Sequence, residues 1–285
     1  MSGLKGVYLG LDLGGTFLKA AVYDPSTDTK TTLGGYAIGD GLELFEVTGQ
    51  IVQSLAEQNQ TTIGIGLGLP GVLDDRHRLR FSPHRSELVG VDTKAGIAGV
   101  SGVWPLVDND ANCAAALEAH NDPSSSILVV NFGTGVGASL AINGSVYKGA
   151  NASFGEIGHT GRFGGEICAC KRAGCFEAEL YALLDVEPTA DGSDFEAASE
   201  LVSEVLFDYV RVLDPGVLVL GGGLVHSSNG FFRMVSRLLE SANSTYRSGF
   251  KLRIREASNL EYSGAVGAAL LSSGVVGYVC DAIDH

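Results

Sequence analysis

The alternation of apolar with small or polar residues near the start of the chain predicts a β-hairpin. Residues 7–24 read VYLGLDLGGTFLKAAVYD, an apolar run followed by an acidic residue, Gly-Gly-Thr and a second alternating run. Glycines at such a turn allow two strands to reverse direction within a few residues. Residues 127–142, ILVVNFGTGVGASLAI, repeat this plan with Asn131 before a Gly/Thr turn. Two copies of one hairpin predict two related α/β domains that face each other.

Around the hairpins, hydrophobic periodicity and turn residues predict alternating helices and strands. In the first half we expect a helix over 41–59, a strand over 62–69 with a Pro-Gly turn after it, an irregular stretch over 74–93, a strand ending at Asp108 and an Ala-rich helix over 111–120. In the second half we expect a helix over 194–213 that ends before Pro215, a strand over 217–220 and a helix over 231–246.

The composition limits the possible partners. The chain has 285 residues, and its 45% hydrophobic content is enough for one large core or two ordinary ones. Its net charge of −14 argues against nucleic acid as a partner, because phosphate contacts need basic clusters. Residues 263–280 carry no charge, but their glycines and serines favour a buried helix with a short tail over a membrane span. No signal peptide precedes the first strand, so we expect a cytoplasmic protein.

Three of the five cysteines and one histidine lie close together in the sequence. Three thiolates and an imidazole form a complete tetrahedral set for a structural Zn²⁺, which leaves no position for water; the candidate ligands are His159, Cys168, Cys170 and Cys175. The alternatives are free cysteines, a disulfide within one pair, or an iron–sulfur cluster whose fourth thiolate comes from Cys113 or Cys280. In a loop with few large apolar residues, a metal ion would replace a hydrophobic core.

Many of the 40 glycines cluster where apolar runs end, at residues 14–15, 133–137 and 221–223. Glycines at such places let backbone N–H groups approach a ligand, and phosphate is the usual one. The sequence has no Gly-x4-Gly-Lys-Ser/Thr segment, which argues against a Walker-type loop. Residues 133–137 lead into a strand, whereas a dinucleotide fingerprint opens a helix. A hairpin turn with Asp-x-Gly-Gly-Thr predicts a different phosphate-binding loop.

Eight short motifs, in this order, resemble those of the ROK group of sugar kinases, within the structural clan of hexokinase, actin and Hsp70. They are DLGGT at 12–16, GLGLPG at 66–71, DNDAN at 108–112, GTGVG at 133–137, GEIGH at 155–159, CACKRAGCFE at 168–177, LGGGL at 220–224 and GAVGAAL at 264–270. DLGGT alone indicates only the clan, whereas GEIGH and the Cys-rich segment are specific to the family.

The resemblance spans nearly the whole chain and implies an α/β fold. We expect two ribonuclease-H-like (actin-like ATPase) domains facing across a cleft, each with a mixed β-sheet flanked by helices. Residues 1–108 would form a small domain that the C-terminal helix over about 264–285 completes. Residues 109–263 would form a large domain that carries the Cys-rich loop. Sugar binding is expected to close the two domains over the substrate.

The resemblance also implies a role for individual residues. Asp110 resembles the catalytic base that takes the proton from the attacking sugar hydroxyl. The residues that resemble ligands of the sugar hydroxyls are Asn109, Glu156, His159 and Glu177, and in the family the GEIGH histidine also ligates zinc through its other ring nitrogen. The residues expected around the ATP phosphates and Mg²⁺ are Asp12, Gly14, Gly15, Thr16, Thr134 and Gly135. Gly221 and Gly222 are expected to pack against the adenosine.

Several of these residues also fit purely structural roles. Asp110 could be the N-cap of the following helix, and Glu177 could favour a helix N-terminus through its charge. Glu156 could be a solvent-facing loop residue. Lys19 could add positive charge near the phosphates or be a solvated strand residue.

The chain departs from family glucokinases at two places. The stretch after the Pro-Gly strand reads FSPHRSELVGVD, with His84 and Arg85 and without the tryptophan that such glucokinases carry. These two side chains could line the sugar pocket or lie on the surface of an irregular loop. Lys171 stands where a glycine commonly follows the middle cysteine.

These features predict an ATP-dependent kinase for the 6-hydroxyl of glucose, a related hexose or an amino sugar, with ATP, Mg²⁺ and a structural Zn²⁺ as cofactors. Its expected partners are a small-molecule sugar, ATP and a second copy of the chain in a homodimer. Neither nucleic acid nor a membrane is expected as a partner. Alternatives are a non-catalytic sugar sensor and a kinase for a less common biosynthetic or N-acylated sugar. A sugar-responsive repressor is not expected, because only six residues precede Val7.

Overall fold

The computed structural model describes residues 5–82, 84–161, 164–185, 193–246, 251–258 and 261–279. The strands are β1 Lys5–Leu13, β2 Phe17–Asp24, β3 Thr29–Ala37, β4 Gln60–Leu69, β5 Val72–Leu73, β6 Leu79–Phe81, β7 Leu106–Asn109, β8 Ser126–Phe132, β9 Val136–Ile142, β10 Ser145–Tyr147, β11 Val217–Gly221, β12 Arg253–Glu256 and β13 Gly277–Tyr278. The helices are α1 Glu43–Glu57, α2 Thr93–Ser101, α3 Asp110–Asn121, α4 Phe176–Asp185, α5 Ser193–Leu213, α6 Gly223–Ser227, α7 Asn229–Tyr246 and α8 Ser263–Ser273.

The chain divides into two compact units. The first unit consists of Met1–Ser124, Ser139–Phe154 and Glu261–His285, and the second of Ser125–Ala138 and Gly155–Leu260. Strand β9 carries the chain from the second unit into the first. The predicted C-terminal helix is α8, which ends at Ser273, and residues 280–285 lie outside the described residues.

The first unit is built on a five-stranded sheet in the order β3-β2-β1-β4-β7. Strand β1 pairs antiparallel with β2 and parallel with β4, and β4 pairs parallel with β7. The first predicted hairpin is confirmed, since Leu13 lies opposite Leu18 across the Gly-Gly-Thr turn. The short β5–β6 hairpin lies partly within the stretch that the sequence predicted to be irregular.

The two faces of β1 and β4 differ in the size of their side chains, and this difference explains many of the glycines. On one face, leucines and isoleucines pack into a buried core with α1. On the other face, a side chain at Gly10 would come within 1.8 Å of the Ala265 carbonyl oxygen, and one at Gly66 within 1.9 Å of the Ala268 carbonyl oxygen. Helix α8 therefore packs directly on the backbone of the sheet, which only glycine permits.

The second unit contains three parallel strands in the order β12-β11-β8. The buried core beside them includes Phe132 at the end of β8 and Phe231 of α7, whose rings meet edge to face at 5.8 Å. The predicted strand and helices of this half are confirmed as β11, α5 and α7. Among the described residues, no helix combines the length and the apolar character needed to cross a membrane.

Candidate active site

Three parallel strands of the first unit, β1, β4 and β7, have their carboxyl ends at one edge of the sheet, and three aspartates lie there. Asp12 of β1 lies beside Gly68 of β4, which in turn lies beside Asp108 of β7. A side chain at Gly68 would lie 3.5 Å from Asp12 Oδ1 and 3.4 Å from the Asp110 Cα atom. Asp12 and Asp110 therefore flank one glycine, at the edge of a sheet where ligands of α/β proteins commonly bind.

The Gly-Gly-Thr turn follows Asp12 and is held by backbone hydrogen bonds. The N–H group of Gly14 donates to the Phe17 carbonyl oxygen at 2.9 Å, and the Thr16 carbonyl oxygen accepts from the Ile38 N–H at 2.9 Å. A Cβ atom at Gly15 would have no neighbour within 4 Å. The outer side of this turn is thus open to a ligand.

Asp12 lies next to positive charge. Lys19 is its direct cross-strand neighbour. Burial raises the pKa of Asp12 from 3.8 to about 6, and the charge of Lys19 partly opposes this rise. A side chain at Gly264 of α8 would lie 2.5 Å from Asp12 Oδ2, so the start of this helix approaches the carboxylate closely. Lys19 thus places a positive charge beside the Asp12 carboxylate.

Asp110 is the first residue of α3, and Asn109 is the N-cap. Asn109 Oδ1 accepts from the Ala111 N–H at 2.9 Å, and Asn109 Nδ2 donates to the Gly71 carbonyl oxygen at 3.0 Å. The N-cap alternative for Asp110 is therefore wrong, although Asp110 Oδ1 also accepts from the Ala111 N–H at 2.9 Å. The amide of Asn109 joins the start of α3 to the Pro-Gly turn.

In the second unit, helix α4 holds the Gly-Thr-Gly turn between β8 and β9. Glu177 Oε2 accepts from the Val136 N–H at 2.7 Å, and a side chain at Gly135 would come within 2.6 Å of the same oxygen. Tyr181, one helical turn later, donates its hydroxyl to the Gly133 carbonyl oxygen at 2.6 Å. Burial, and to a lesser extent Glu177, raises the pKa of Tyr181. The sequence analysis missed Tyr181; its i, i+4 spacing from Glu177 was the available signal.

The GEIGH segment forms a tight turn against β9. A side chain at Gly155, where φ is +98°, would lie 1.8 Å from the Ala138 carbonyl oxygen, which explains glycine there. Glu156 Oε2 lies 3.9 Å from His159 Nε2. Burial raises the pKa of Glu156, an effect that His159 opposes and Glu177 reinforces. Glu156 therefore interacts electrostatically with both of the other predicted sugar ligands of this unit.

The four predicted metal ligands come together. The donor atoms of His159, Cys168, Cys170 and Cys175 all lie within 4.8 Å of one another. Cys168 Sγ lies 3.3 Å from His159 Nδ1, and Cys170 Sγ lies 3.6 Å from Cys175 Sγ. Ligands on a tetrahedral Zn²⁺ lie roughly 3.4–3.8 Å apart, so this donor set fits such an ion. None of these three described cysteines is in a disulfide, which argues against the disulfide alternative.

Burial of the Cys168 thiol and the two nitrogens of His159 both bear on a bound cation. Burial raises the pKa of Cys168 to about 11, so a bound cation is what would hold this thiol as a thiolate at neutral pH. His159 directs Nδ1 at the cysteines and Nε2 toward Glu156. One ring can thus serve a metal ion and a second partner at once.

The Cys-rich loop contains a strained residue. Lys171, one of the two departures from the family pattern, has φ +67° in the tight turn that the Lys171 N–H closes on the Cys168 carbonyl oxygen. This left-handed conformation favours glycine, which explains why a glycine commonly stands there. The departure therefore affects the backbone as well as the loop surface.

Of the two roles considered for Arg85, the structure excludes one. The residue is only 2% exposed, so the surface alternative is wrong. Its Nε donates to the Gly14 carbonyl oxygen at 2.9 Å, Nη2 donates to the Ile38 carbonyl oxygen at 3.4 Å, and Nη1 pairs with Glu87 at 3.4 Å. Arg85 therefore stabilises the Gly-Gly-Thr turn through its hydrogen bond to Gly14. His84, in contrast, is exposed.

Gly221 and Gly222 have a structural reason of their own. A side chain at Gly221 would lie 2.5 Å from Asn131 Oδ1, and one at Gly222 would lie 2.4 Å from the Phe132 carbonyl oxygen. Gly222 also has φ +90°. The close approach of the ends of β11 and β8 thus requires both glycines.

Comparison with known proteins supports one family. The model of the ROK family matches residues 8–182. The chain is 25% identical to an N-acetyl-D-glucosamine kinase of Yersinia enterocolitica, over 93% of this chain and 99% of that protein. It is also 25% identical to a glucokinase of Halalkalibacterium halodurans, over 93% and 94% of the two chains. The crystal structure of a ROK hexokinase from Thermus thermophilus matches with a TM-score of 0.77 and 26% identity, over 94% of this chain and 98% of that one. The matched residues and the shared α/β fold show that the chain belongs to the ROK family.

Proposed function

We propose that this protein is an ATP-dependent sugar kinase that phosphorylates the 6-hydroxyl group of a hexose. The observation that carries the proposal is the position of Asp110 at the start of α3, on the sheet edge that also presents Asp12 and the Gly-Gly-Thr turn. Phosphoryl transfer depends mostly on positioning and charge neutralisation, with one carboxylate to orient and deprotonate the nucleophile. This edge offers such a carboxylate beside a turn that is open to phosphate.

Asp110 is the proposed general base. The helix is already capped by Asn109, so the carboxylate of Asp110 is not needed as the N-cap. A carboxylate in this place can accept the proton of the attacking hydroxyl as the hydroxyl oxygen approaches phosphorus. Proton transfer of this kind contributes typically about 10²- to 10⁴-fold to the rate.

The proposed sugar ligands combine acceptors and donors. Asn109 belongs to the first unit, and Glu156, His159 and Glu177 belong to the second. Carboxylate, amide and imidazole groups match the mixed donor and acceptor character of sugar hydroxyls. Ligand-induced closure stays a prediction.

The proposed ATP and Mg²⁺ ligands lie at the two glycine turns. Asp12, Gly14, Gly15 and Thr16 would serve from the first unit, and Thr134 and Gly135 from the second. Asp12 would hold Mg²⁺, which supplies positive charge at the phosphates. Gly221 and Gly222 are proposed to contact the adenosine, although backbone packing already accounts for glycine at both positions.

The proposed metal in the Cys-rich loop is a structural Zn²⁺ on His159, Cys168, Cys170 and Cys175. Four protein donors leave no position for a reacting water molecule, so the ion would only hold the loop. The Phe176 N–H donates to the Thr160 carbonyl oxygen at 2.8 Å, which joins the start of α4 to the GEIGH segment. An ion bound to His159 and Cys175 would reinforce this link and so keep Glu177 close to the GEIGH segment.

The first sugar to test is an N-acetylated hexosamine, followed by glucose. An N-acetyl-D-glucosamine kinase and a glucokinase are matched over nearly their whole lengths. The chain lacks the tryptophan-containing element of family glucokinases, which weakens the case for glucose. Homodimer formation and a cytoplasmic location remain predictions that family membership alone supports.

The test is an ADP-release assay with N-acetylglucosamine, N-acetylmannosamine, glucose, glucosamine and mannose, each with ATP. With polyphosphate as the donor, the sugar phosphate is measured instead, because no ADP forms. We expect sugar-dependent ADP release, with one sugar preferred through kcat/KM. ADP release that is the same with and without every sugar would contradict the proposal, and so would tight sugar binding without turnover, which is the behaviour of a sensor.

A further inference from the structure

Asp108, two residues before the proposed base, is a buried carboxylate with four donors. It is 3% exposed. Its Oδ1 accepts from the Asn109 N–H at 2.7 Å and from Asn112 Nδ2 at 3.0 Å. Its Oδ2 accepts from the Tyr278 hydroxyl at 2.6 Å and lies 3.2 Å from Lys148 Nζ. A buried charge needs partners of this kind to offset its desolvation.

Lys148 and Tyr278, the two partners of Asp108 that are distant from it in sequence, also contact each other. Strands β10 and β13 pair in parallel, with Val146 opposite Tyr278, and Lys148 follows two residues after Val146. Lys148 Nζ lies 3.2 Å from the centroid of the Tyr278 ring, which is a close cation–π contact. The Lys148 ammonium group and the Tyr278 hydroxyl group therefore contact the Asp108 carboxylate as a linked pair.

Three separate segments of the first unit meet at this carboxylate. Asp108 belongs to residues 1–124, Lys148 to residues 139–154 and Tyr278 to residues 261–285. On the side of α3, Asn112 is itself fixed, because its Oδ1 accepts from the Ser139 hydroxyl at 2.6 Å. The carboxylate thus joins the end of β7 and the first turn of α3 to the rest of the unit, directly on either side of Asp110.

We propose that Asp108, Lys148 and Tyr278, here called the Asp108 tether, are positioning residues that set the orientation of Asp110 for proton transfer. The inference rests on the proposed kinase function. Asp108 acts through its hydrogen bonds with the Asn109 N–H and with Asn112 Nδ2. If the Asp108 carboxylate is held less firmly, the orientation of the Asp110 carboxylate changes. None of the three tether residues is proposed to bind sugar or nucleotide.

The tether is next to solvent, and this makes it testable. A cavity of about 530 Å³ has Lys148 and Tyr278 in its wall, together with Asp74 and Arg80. Water in this cavity can replace a lost hydroxyl as a donor to Asp108. Removal of the Tyr278 hydroxyl is therefore expected to reduce the precision of the site more than the stability of the fold.

The experiment is steady-state kinetics of Tyr278→Phe, which keeps the ring and its contact with Lys148. We expect kcat to fall by about 10-fold, because small displacements of a catalytic group have large effects on rate. The KM values for sugar and ATP should stay within about 2-fold of wild type, because the tether binds neither substrate. Tyr8→Phe, whose ring lies 6.4 Å from that of Tyr23, is the matched control and should leave kcat unchanged.

A double-mutant cycle separates positioning from general loosening. If the tether acts through Asp110, Tyr278→Phe should have almost no further effect on kcat in an Asp110→Asn background. An equal fold-loss in both backgrounds would overturn the inference, and so would a wild-type kcat for Tyr278→Phe alone.

A second variant covers the case in which Tyr278→Phe folds poorly. Lys148→Gln should also lower kcat without changing KM, and Lys148→Arg should restore most of the rate, because it returns the charge that faces Asp108. Failure of both the loss and the rescue would overturn the inference. An inactive wild-type chain would overturn the proposed function and this inference with it, whereas an active wild type with unaffected tether variants would overturn the inference alone.

Discussion

The corner around Asp110 in the first unit and the Cys-rich loop in the second unit both carry proposed sugar ligands, but different interactions hold them. The corner lies at the ends of the buried strands β1 and β4, and glycines in these two strands let α8 pack directly on them. The loop exposes Ile167 at 72% and contains the left-handed Lys171, and its strongest feature is a set of four metal donors.

This difference predicts two kinds of failure. In the corner, the fold exists independently of the reacting carboxylate, so catalysis can be removed without loss of stability. In the loop, the proposed metal ligation would replace a core, so a change at one ligand is expected to remove both the loop geometry and part of the stability. The following substitutions test this contrast.

The largest effect is expected for Asp110→Asn. The substitution removes the base but keeps the size of the side chain, and Asn109 remains the N-cap of α3. We expect kcat to fall by about 10²- to 10⁴-fold, with sugar affinity and melting temperature close to wild type. Steady-state kinetics measures kcat, calorimetric sugar titration measures the affinity and thermal unfolding measures the melting temperature, with the exposed Asp208→Asn as control. A variant that keeps more than about a tenth of the wild-type kcat would exclude Asp110 as the base.

The next effect is expected for Cys170→Ser in the loop. We predict one Zn²⁺ per chain in wild-type protein purified without added zinc, and loss of this ion in the variant. The melting temperature should fall by about 10 °C, as roughly 3–4 kcal/mol of lost stability would produce in a chain of this size. Cys113→Ala, which removes a buried thiol of the first unit, should keep the metal. A metal-free wild type with full activity would refute the metal site.

An intermediate effect is expected for Arg85→Gln, because Arg85 supports the Gly-Gly-Thr turn of the first unit. The change leaves the Gly14 carbonyl oxygen without its donor from Arg85 Nε. We expect the KM for ATP to rise by about 10-fold, equivalent to 1–2 kcal/mol, while the ranking of sugars stays the same. Arg78→Gln, at an arginine that pairs with Asp92, is the control. A changed sugar ranking would instead return Arg85 to the sugar pocket.

The smallest effect is expected for Lys171→Gly. Glycine adopts the left-handed conformation without strain, and the gain of about 1–2 kcal/mol is partly offset by the entropy of the unfolded chain. We expect the metal-loaded protein to melt a few degrees higher, about 0.5–1 kcal/mol more stable. Lys171→Ala makes the same change of charge without the relief, so equal melting temperatures for the two variants would show that charge, not the backbone, is responsible.

Local patterns were sufficient to predict the hairpins, the long helices and the clustering of the four potential metal ligands. Alternation gave β1 and β2, the Pro215 stop gave the end of α5, and the spacing of Cys168, Cys170 and Cys175 predicted that the donors converge. Each of these depends on residues that are near in sequence.

The parts that the sequence did not reveal depend on distant contacts. Arg85 reaches Gly14 across 71 positions, and Tyr278 reaches Asp108 across 170. No packing role was predicted for Gly10 and Gly66, which are needed because α8 packs on the sheet. Such contacts arise only when the segments of a unit assemble, and no local period encodes them.

The most direct test of the central claim is phosphorus NMR of a reaction that contains the wild-type chain, ATP, Mg²⁺ and the preferred sugar from the panel. We predict equal amounts of ADP and a hexose 6-phosphate, and neither product with Asp110→Asn on the same time scale. ADP with inorganic phosphate as the only products, or a sugar phosphate that Asp110→Asn forms as fast as wild type, would contradict it.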